Sequence, residues 1–344
     1  MGEFAGWDMP LYYSTARAEH AAVREGAGVF DVSHMGQLEV SGPGAREGLE
    51  RILTNDLALT PGHGQYTLML EDDGGVIDDL IVYALDDRFL LVVNASNVAP
   101  CRERLEDRLP ADAALTDRSP GTAMLALQGP AWAEVLRPLS ERGTAFGLDY
   151  FAVGEDAVAG VPCLIARTGY TGEPGVELMC PWDDAPALWD ALTGGERAAT
   201  PAGLVARDTL RLEMGYPLYG QELSRARTPI EAGLRWACDI EGGRFFGAET
   251  LRRQAAEGTP ERLTIFRLTE PGIPRAGQDV VVDGRPAGTV TSGTLSPTLD
   301  VGIGMAYVPS AVAGPDNALV IDVRGKPKAA RTARRPLVAT SPKE

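Results

Sequence analysis

The chain has 344 residues, 44% of them hydrophobic, and a formal net charge of −16. That length accommodates two or three domains with a sizeable core, and a field of this sign repels nucleic acid and anionic membranes. No apolar run reaches the ~18–20 residues that span a bilayer, and Met1-Gly2-Glu3-Phe4-Ala5-Gly6 lacks the basic-then-apolar layout of a signal peptide. A cytoplasmic protein with no membrane or nucleic-acid partner is therefore expected. Only three of the 32 basic residues are lysines, Lys326, Lys328 and Lys343, a usage that fits a high-GC genome or a salt-tolerant organism. The cysteines, Cys101, Cys163, Cys180 and Cys238, show no CxxC spacing and no His at ligand distance, so reduced, buried thiols and no metal site are expected.

Residues 1–13 are aromatic-rich, and Trp7 is expected to pack onto the main domain. Ser14 is placed to cap a helix running to Gly26, with Ala18, Ala21, Ala22 and Val23 as its apolar side. Residues 37–42 alternate as a strand, and a helix spans 45–53. A meander follows, with strands at 66–70, 76–85 and 88–94. A helix at 97–109 carries i,i+4 charge pairs on a solvated face. The strand 123–128 enters a helix through Gly129-Pro130. Strands near 149–153 and 161–168 and a helix near 185–192 then repeat the earlier order. The first ~240 residues read as duplicated, mostly antiparallel α+β structure. A helix covers 202–214, with Arg207 and Arg211 on one face. Beyond Gly243 the character changes: a helix at 248–257, then short strands at 263–268, 278–282, 285–292, 302–308 and 318–323 indicate a small β-sandwich or barrel. The tail from Lys326 is basic and then loose. Domains are expected over 1–243, as two interleaved α+β domains, and over 244–344.

Two stretches depart from ordinary patterning. In Gly74-Gly75-Val76-Ile77-Asp78-Asp79-Leu80-Ile81-Val82-Tyr83 two adjacent carboxylates interrupt an apolar strand. Alternation sends Asp79 to the side of Ile77, Ile81 and Tyr83, and Asp78 to the side of Leu80 and Val82. Whichever side packs inward, one carboxylate leaves bulk water, at a cost of roughly 1–3 kcal/mol unless partnered. Either acid can be a structural group bonded to nearby amides, or a catalytic or ligand-holding one. The second stretch, Arg167-Thr168-Gly169-Tyr170-Thr171-Gly172-Glu173-Pro174-Gly175-Val176-Glu177-Leu178, is a Gly-rich turn with Tyr170 at its tip. It reads as a plain hairpin or as a place where backbone approaches a ligand.

The chain resembles the T-proteins of the glycine cleavage system, the tetrahydrofolate-dependent aminomethyltransferases. The likeness is carried by Gly6 to Tyr13, Phe30 to Met35, Gly74 to Leu80, Gln128 to Pro130, Arg167 to Glu177, Gly203 to Glu213, Leu218 to Leu223 and Thr291 to Leu299, in order over about 300 residues. The resemblance implies a cloverleaf arrangement around a central folate cavity. It implies transfer of a one-carbon unit from the aminomethylated lipoyl arm of H-protein to tetrahydrofolate, with release of ammonia. By the same resemblance Asp79 is the essential acid, Glu177 grips the pterin and Arg207 lies at the folate and H-protein side. Tyr66, Tyr83, Asn94, Met35, Tyr150 and Tyr170 line the pocket.

Chemistry agrees with those roles. A carboxylate such as Glu177 accepts two N–H bonds from an amino-pyrimidone edge, tyrosine walls bury ring faces, and Asp79 can hold an amine in line and stabilise developing positive charge. Arg207 suits a carboxylate on folate's tail or on the partner; the alternative is an intrahelical pair with Asp208. The tail Arg334-Arg335-Pro336-Leu337-Val338 lacks the aromatic often found after that proline in the family. A sister enzyme using a free methyl donor is the alternative function. The iron–sulfur-assembly relatives carry a cysteine near the Gly-Gln block, where this chain reads Leu218-Tyr219-Gly220-Gln221-Glu222.

Overall fold

A computed structural model describes residues 1–343. The chain forms two compact units, one of residues 1–69, 78–207 and 340–344, the other of 70–77 and 208–339. The units part within a helix, between Arg207 and Asp208.

The first unit opens with a hairpin, β1 (Gly2–Phe4) and β2 (Trp7–Met9). Trp7 packs against Trp182, ring centroids 6.0 Å apart, and stays 40% exposed. Helix α1 (Ala16–Glu25) follows, capped by the side chain of Thr15 rather than Ser14. Its buried positions are Glu19, His20 and Val23, not the alanines. Glu19 is buried because it is a clasp: it accepts from the amides of Tyr13 (2.7 Å), Ser14 (2.6 Å) and Gly203 (2.9 Å). It thereby ties the N-terminal segment to residues that lead into α6.

Next come β3 (Gly28–Asp31), β4 (Gly36–Ser41), α2 (Ala45–Ile52), β5 (His63–Leu70), β6 (Val76–Ala84) and β7 (Arg88–Val93). Helix α3 (Val98–Arg108), β8 (Ala114–Asp117), β9 (Thr122–Gln128) and α4 (Trp132–Leu136) continue the chain. Then follow β10 (Val153–Val158), β11 (Val161–Ala166), β12 (Gly175–Pro181), α5 (Ala185–Thr193), β13 (Thr200–Pro201) and α6 (Leu204–Met214). One sheet has the order β5-β6-β7-β4-β8 and the other β10-β11-β12-β9-β3-β13. The sequential order strand, helix, three strands, helix, strand occurs twice, from β4 to β8 and from β9 to β13. In the second copy β3 is inserted between the first and last strands, and it pairs with β13 in parallel. The pairs in register are otherwise antiparallel.

The strand expected at 149–153 begins only at Val153. Phe151 has φ +69°, which breaks the extended run. Its amide bonds Arg167 O and its carbonyl accepts from Gly64, both across to neighbouring strands. This corner joins the start of β5 to the entry of β10 and leaves Tyr150 on a turn.

The second unit carries α7 (Ala248–Glu257) and a closed barrel. Its strands are β14 (Glu261–Leu268), β15 (Asp279–Val282), β16 (Arg285–Ser296), β17 (Val301–Pro309), β18 (Ala318–Val323) and β19 (Lys326–Ala333), in the order β14-β17-β16-β15-β18-β19. The start of the tail, read as basic and then loose, is thus the closing strand. Its inward side chains are only Ala330 and Thr332, too small to show as an apolar alternation, and it closes the barrel by pairing with both β18 and β14.

Phe266, Val290, Ala306 and Ile321 fill one cluster of the barrel core. Arg211 is fully buried in this unit and saturated: it donates to Asp208 Oδ1 (2.9 Å), Tyr216 O (3.1 Å), Glu222 Oε2 (2.8 Å) and Ser292 Oγ (2.7 Å).

Candidate functional site

The paired acids of β6 divide as alternation predicts. Val76, Asp78, Leu80 and Val82 are all buried on one side, while Asp79 and Ile81 are partly exposed on the other. Strand β7 ends at Val93, and the next residue, Asn94, meets both acids. Its side-chain amide nitrogen donates to Asp78 Oδ1 (2.8 Å), Asp79 O (2.9 Å) and Asp79 Oδ1 (3.0 Å), and its backbone N–H donates to Asp78 Oδ2 (2.9 Å). Asn97 adds a bond to Asp78 Oδ1 (2.6 Å). Asp78 is thus bonded from the exit of β7 and from the residue that precedes α3. Burial, and next the charge of Asp79, push its carboxyl up to about 7, against the bonds from Asn97 and Asn94.

Asp79 presents its other oxygen to Tyr66 on β5, whose hydroxyl donates to Oδ2 at 2.9 Å. Burial first and the Asp79 charge second hold the Tyr66 phenol well above its usual range, so it remains a donor. Asn94, expected in the pocket lining, brackets the two acids.

Glu177 on β12 is buried, 6% exposed. Thr168 donates to its Oε2 at 2.5 Å, and Tyr83 Oη lies 2.9 Å from the same Thr168 oxygen. Since the threonine proton is committed to Glu177, Tyr83 is the donor in that pair, giving a relay from Tyr83 through Thr168 to Glu177. Burial raises the Glu177 carboxyl, while the Thr168 bond and Arg207 oppose the rise. The Tyr83 phenol is raised by burial and then by Glu177.

Arg207, in α6, places its guanidinium carbon 5.0 Å from the centre of the Tyr170 ring, a cation–π contact. One of its terminal nitrogens, Nη1, is buried and has no hydrogen-bond partner among the described residues. The intrahelical pairing considered from the sequence goes elsewhere: Asp208 takes Arg211 at 2.8 Å. Burial lowers the Arg207 guanidinium, with Glu177 and Tyr170 opposing.

His34, not singled out from the sequence, stands in this field as well. Burial, then Arg207, pulls it down to about 4, so it is neutral near pH 7, and its Nδ1 has no partner among the described residues. Met35 follows it in the turn after β3, partly buried, with its amide on Val32 O. Tyr150 lies against Phe151, ring centroids 4.7 Å apart, and its charge is felt at Tyr83 and Arg167. The first unit thus brings Asp79, Tyr66, Tyr170, Arg207, Glu177, Tyr83 and Tyr150 into one chain of bonds and electrostatic neighbours.

The Gly-rich turn is shaped from beneath. Gln128 donates to Thr168 O (3.1 Å) and accepts from Thr171 Oγ1 (2.9 Å). A Cβ on Gly169 would collide with that Gln128 side chain, so this glycine serves the internal prop. Arg167 bonds Gly175 O (2.7 Å) and stacks on Trp132, and Arg24 bonds Thr171 O (2.8 Å) and Glu173 (2.7 Å). Tyr170 is the residue this scaffold presents. All four cysteines are buried thiols outside any disulfide among the described residues.

Comparison with known families finds two matches along the chain, the second over the strands of the barrel. Residues 1–242 match the GCVT N-terminal domain, and residues 262–338 match the glycine cleavage T-protein C-terminal barrel domain. The chain belongs to the glycine cleavage T-protein family.

A probable aminomethyltransferase of Haloarcula marismortui is 46% identical over 348 residues, covering 98% of this chain and 94% of that protein. The aminomethyltransferase of Anoxybacillus flavithermus is 46% identical over 343 residues, covering 97% and 93%. Among solved structures, the glycine cleavage system aminomethyltransferase T from Bartonella henselae superposes with a TM-score of 0.92 at 35% identity, covering 98% of this chain and 93% of that one. The family's activity, aminomethyl transfer, is the activity of this chain, a transferase of the glycine cleavage system. Among the described residues no helix is long and apolar enough to cross a membrane.

Proposed function

We propose that the arc from Asp79 to Glu177 binds tetrahydrofolate as co-substrate, and that the one-carbon unit arrives on the lipoyl arm of H-protein. Its transfer yields 5,10-methylenetetrahydrofolate, with release of ammonia and return of the dihydrolipoyl arm. The observation that carries the reading is the gathering of two hydroxyl-bonded carboxylates and a buried guanidinium: Thr168 donates to Glu177, Tyr66 donates to Asp79, and Arg207 Nη1 has no partner among the described residues.

In this reading Glu177 accepts from the pterin's amino-pyrimidone edge. Its ionised form is favoured by Thr168 and Arg207, and charge assistance makes such bonds roughly twice as strong as neutral ones. Tyr66, Tyr83, Tyr150, Tyr170 and Met35 flank the rings. Arg207, pre-oriented by Tyr170, takes a carboxylate of the folate tail or of the partner. Asp79, steadied by Tyr66 and Asn94, stands against the folate amines, orients the accepting nitrogen and stabilises positive charge that develops as ammonia leaves.

The test is direct. Mixed with aminomethylated H-protein and tetrahydrofolate, the protein releases ammonia, and Asp79→Asn loses most of this turnover while tetrahydrofolate affinity changes little. A near-normal rate in Asp79→Asn would remove the role assigned to it. Turnover of a free methyl donor without ammonia from H-protein would move the chain to a sister chemistry.

A further inference from the structure

Asp78 is completely buried, and four donor atoms from three residues converge on its two oxygens. Oδ1 accepts from Asn97 Nδ2 at 2.6 Å and Asn94 Nδ2 at 2.8 Å; Oδ2 accepts from the Asn94 backbone N–H at 2.9 Å and the Cys101 thiol at 3.7 Å. The Asn94 side-chain nitrogen has two hydrogens, and it faces three acceptors: Asp78 Oδ1, Asp79 O and Asp79 Oδ1. The hold of Asp78 on one hydrogen fixes the plane of the amide and so aims the other at Asp79.

We infer that Asp78 is the positioning residue of Asp79, acting through the Asn94 amide, and that its anionic form is the one that does so. This rests on the role given to Asp79 above. Protonated Asp78 would turn an O–H against Asn94 or Asn97, both donors at those atoms. Among its hydrogen-bond partners in the described residues, the acceptor left to it is the Cys101 sulfur, a weak one. The Asn94 amide would then swing, and Asp79 would lose the Asn94 bond to its Oδ1. The titratable groups around Asp78 are Asp79 on its own strand, Tyr66 on β5 and Cys101 on α3; Asn94 and Asn97 are neutral. Burial and the Asp79 charge bring the Asp78 carboxyl to about 7, where a pH–rate profile reads it.

Removing the Asn97 bond takes away a contact that lowers this value, so the carboxyl moves further up and stays neutral to higher pH. The experiment measures kcat and KM for tetrahydrofolate against pH for the native enzyme, Asn97→Ala, Asp78→Asn and Asp79→Asn, with folding followed by circular dichroism. The native kcat should fall on the acid side of a limb near neutrality, with KM little changed. Asn97→Ala should move that limb to higher pH and cut neutral-pH kcat by about threefold to tenfold. Asp78→Asn should cut kcat by about tenfold or more and abolish the limb. A purely structural role would lower yield or stability and leave the limb in place. An unmoved limb in Asn97→Ala, or a retained limb in Asp78→Asn, overturns the inference; if one variant fails to fold, the other decides. An inactive Asp79→Asn beside an unmoved Asn97→Ala limb overturns this inference alone. An active Asp79→Asn overturns the reading of Asp79 on which it rests.

Discussion

Arg207 and Arg211 stand four residues apart in α6, and each belongs to a different unit. Arg211 spends its donors on Asp208, Tyr216, Glu222 and Ser292, all within the second unit. Glu222 is equally committed, accepting also from the Leu218 amide (3.0 Å) and Thr291 Oγ1 (2.6 Å). Arg207, in the first unit, has a tyrosine face and the field of Glu177, and its Nη1 has no hydrogen-bond partner among the described residues. The two arginines show that burial of charge alone does not mark a site. A saturated ion pair is a joint of the fold, and an unsaturated one is the candidate for a ligand.

The comparison can be broken first at the joint. Arg211→Ala leaves the fully buried Glu222 uncompensated and should cost roughly 3–5 kcal/mol of stability, read by denaturant unfolding. Replacing Arg211 and Glu222 together with apolar residues should cost less than Arg211→Ala alone, because no lone charge is left inside. Equal losses would make the cluster a packing element rather than a charge joint. At the site the order of effects reverses, with stability nearly unchanged and ligand affinity reduced.

Glu177→Ala should weaken tetrahydrofolate binding by more than about 1 kcal/mol, the order lost with one charge-assisted bond, measured by titration calorimetry. Thr168→Val removes the bond that holds Glu177 Oε2 and strands the Tyr83 hydroxyl. A smaller loss of affinity, about 1 kcal/mol, is expected, with binding more sensitive to pH because the Glu177 carboxyl rises further. Tyr170→Leu removes the cation–π contact that orients Arg207 and should cost least, about 0.5–1 kcal/mol in folate affinity. If Tyr170→Leu exceeded Glu177→Ala, ring stacking rather than the carboxylate would be the main hold on the pterin.

Much of this contrast was legible before any coordinates. Strand alternation alone separated Asp78 from Asp79, because period two is a local property of β6. The barrel's turns and most of its strands were likewise local. What stayed hidden was long-range. The partners of Asp78 lie 16 to 23 residues onward, at Asn94, Asn97 and Cys101, in ordinary-looking text at the start of α3. Glu19 was not singled out at all, because the bond that places it inside runs to Gly203, 184 residues away. Thr168 lay within a motif already noticed, but its bond to Tyr83 spans 85 residues and leaves no trace in spacing. β19 was missed because Ala330 and Thr332 satisfy the barrel interior without bulk. His34 carried no distinguishing signal beyond its place in Asp31-Val32-Ser33-His34.

The central claim is that Glu177 holds the pterin while Asp79 faces the accepting amines. A crystal structure with tetrahydrofolate bound tests it most directly. The account predicts the amino-pyrimidone edge within hydrogen-bonding distance of Glu177, the tyrosines against the rings, and Asp79 beside the folate nitrogens with its Tyr66 and Asn94 bonds intact. A pterin seated away from Glu177, or an Asp79 without contact to the folate amines, would contradict it.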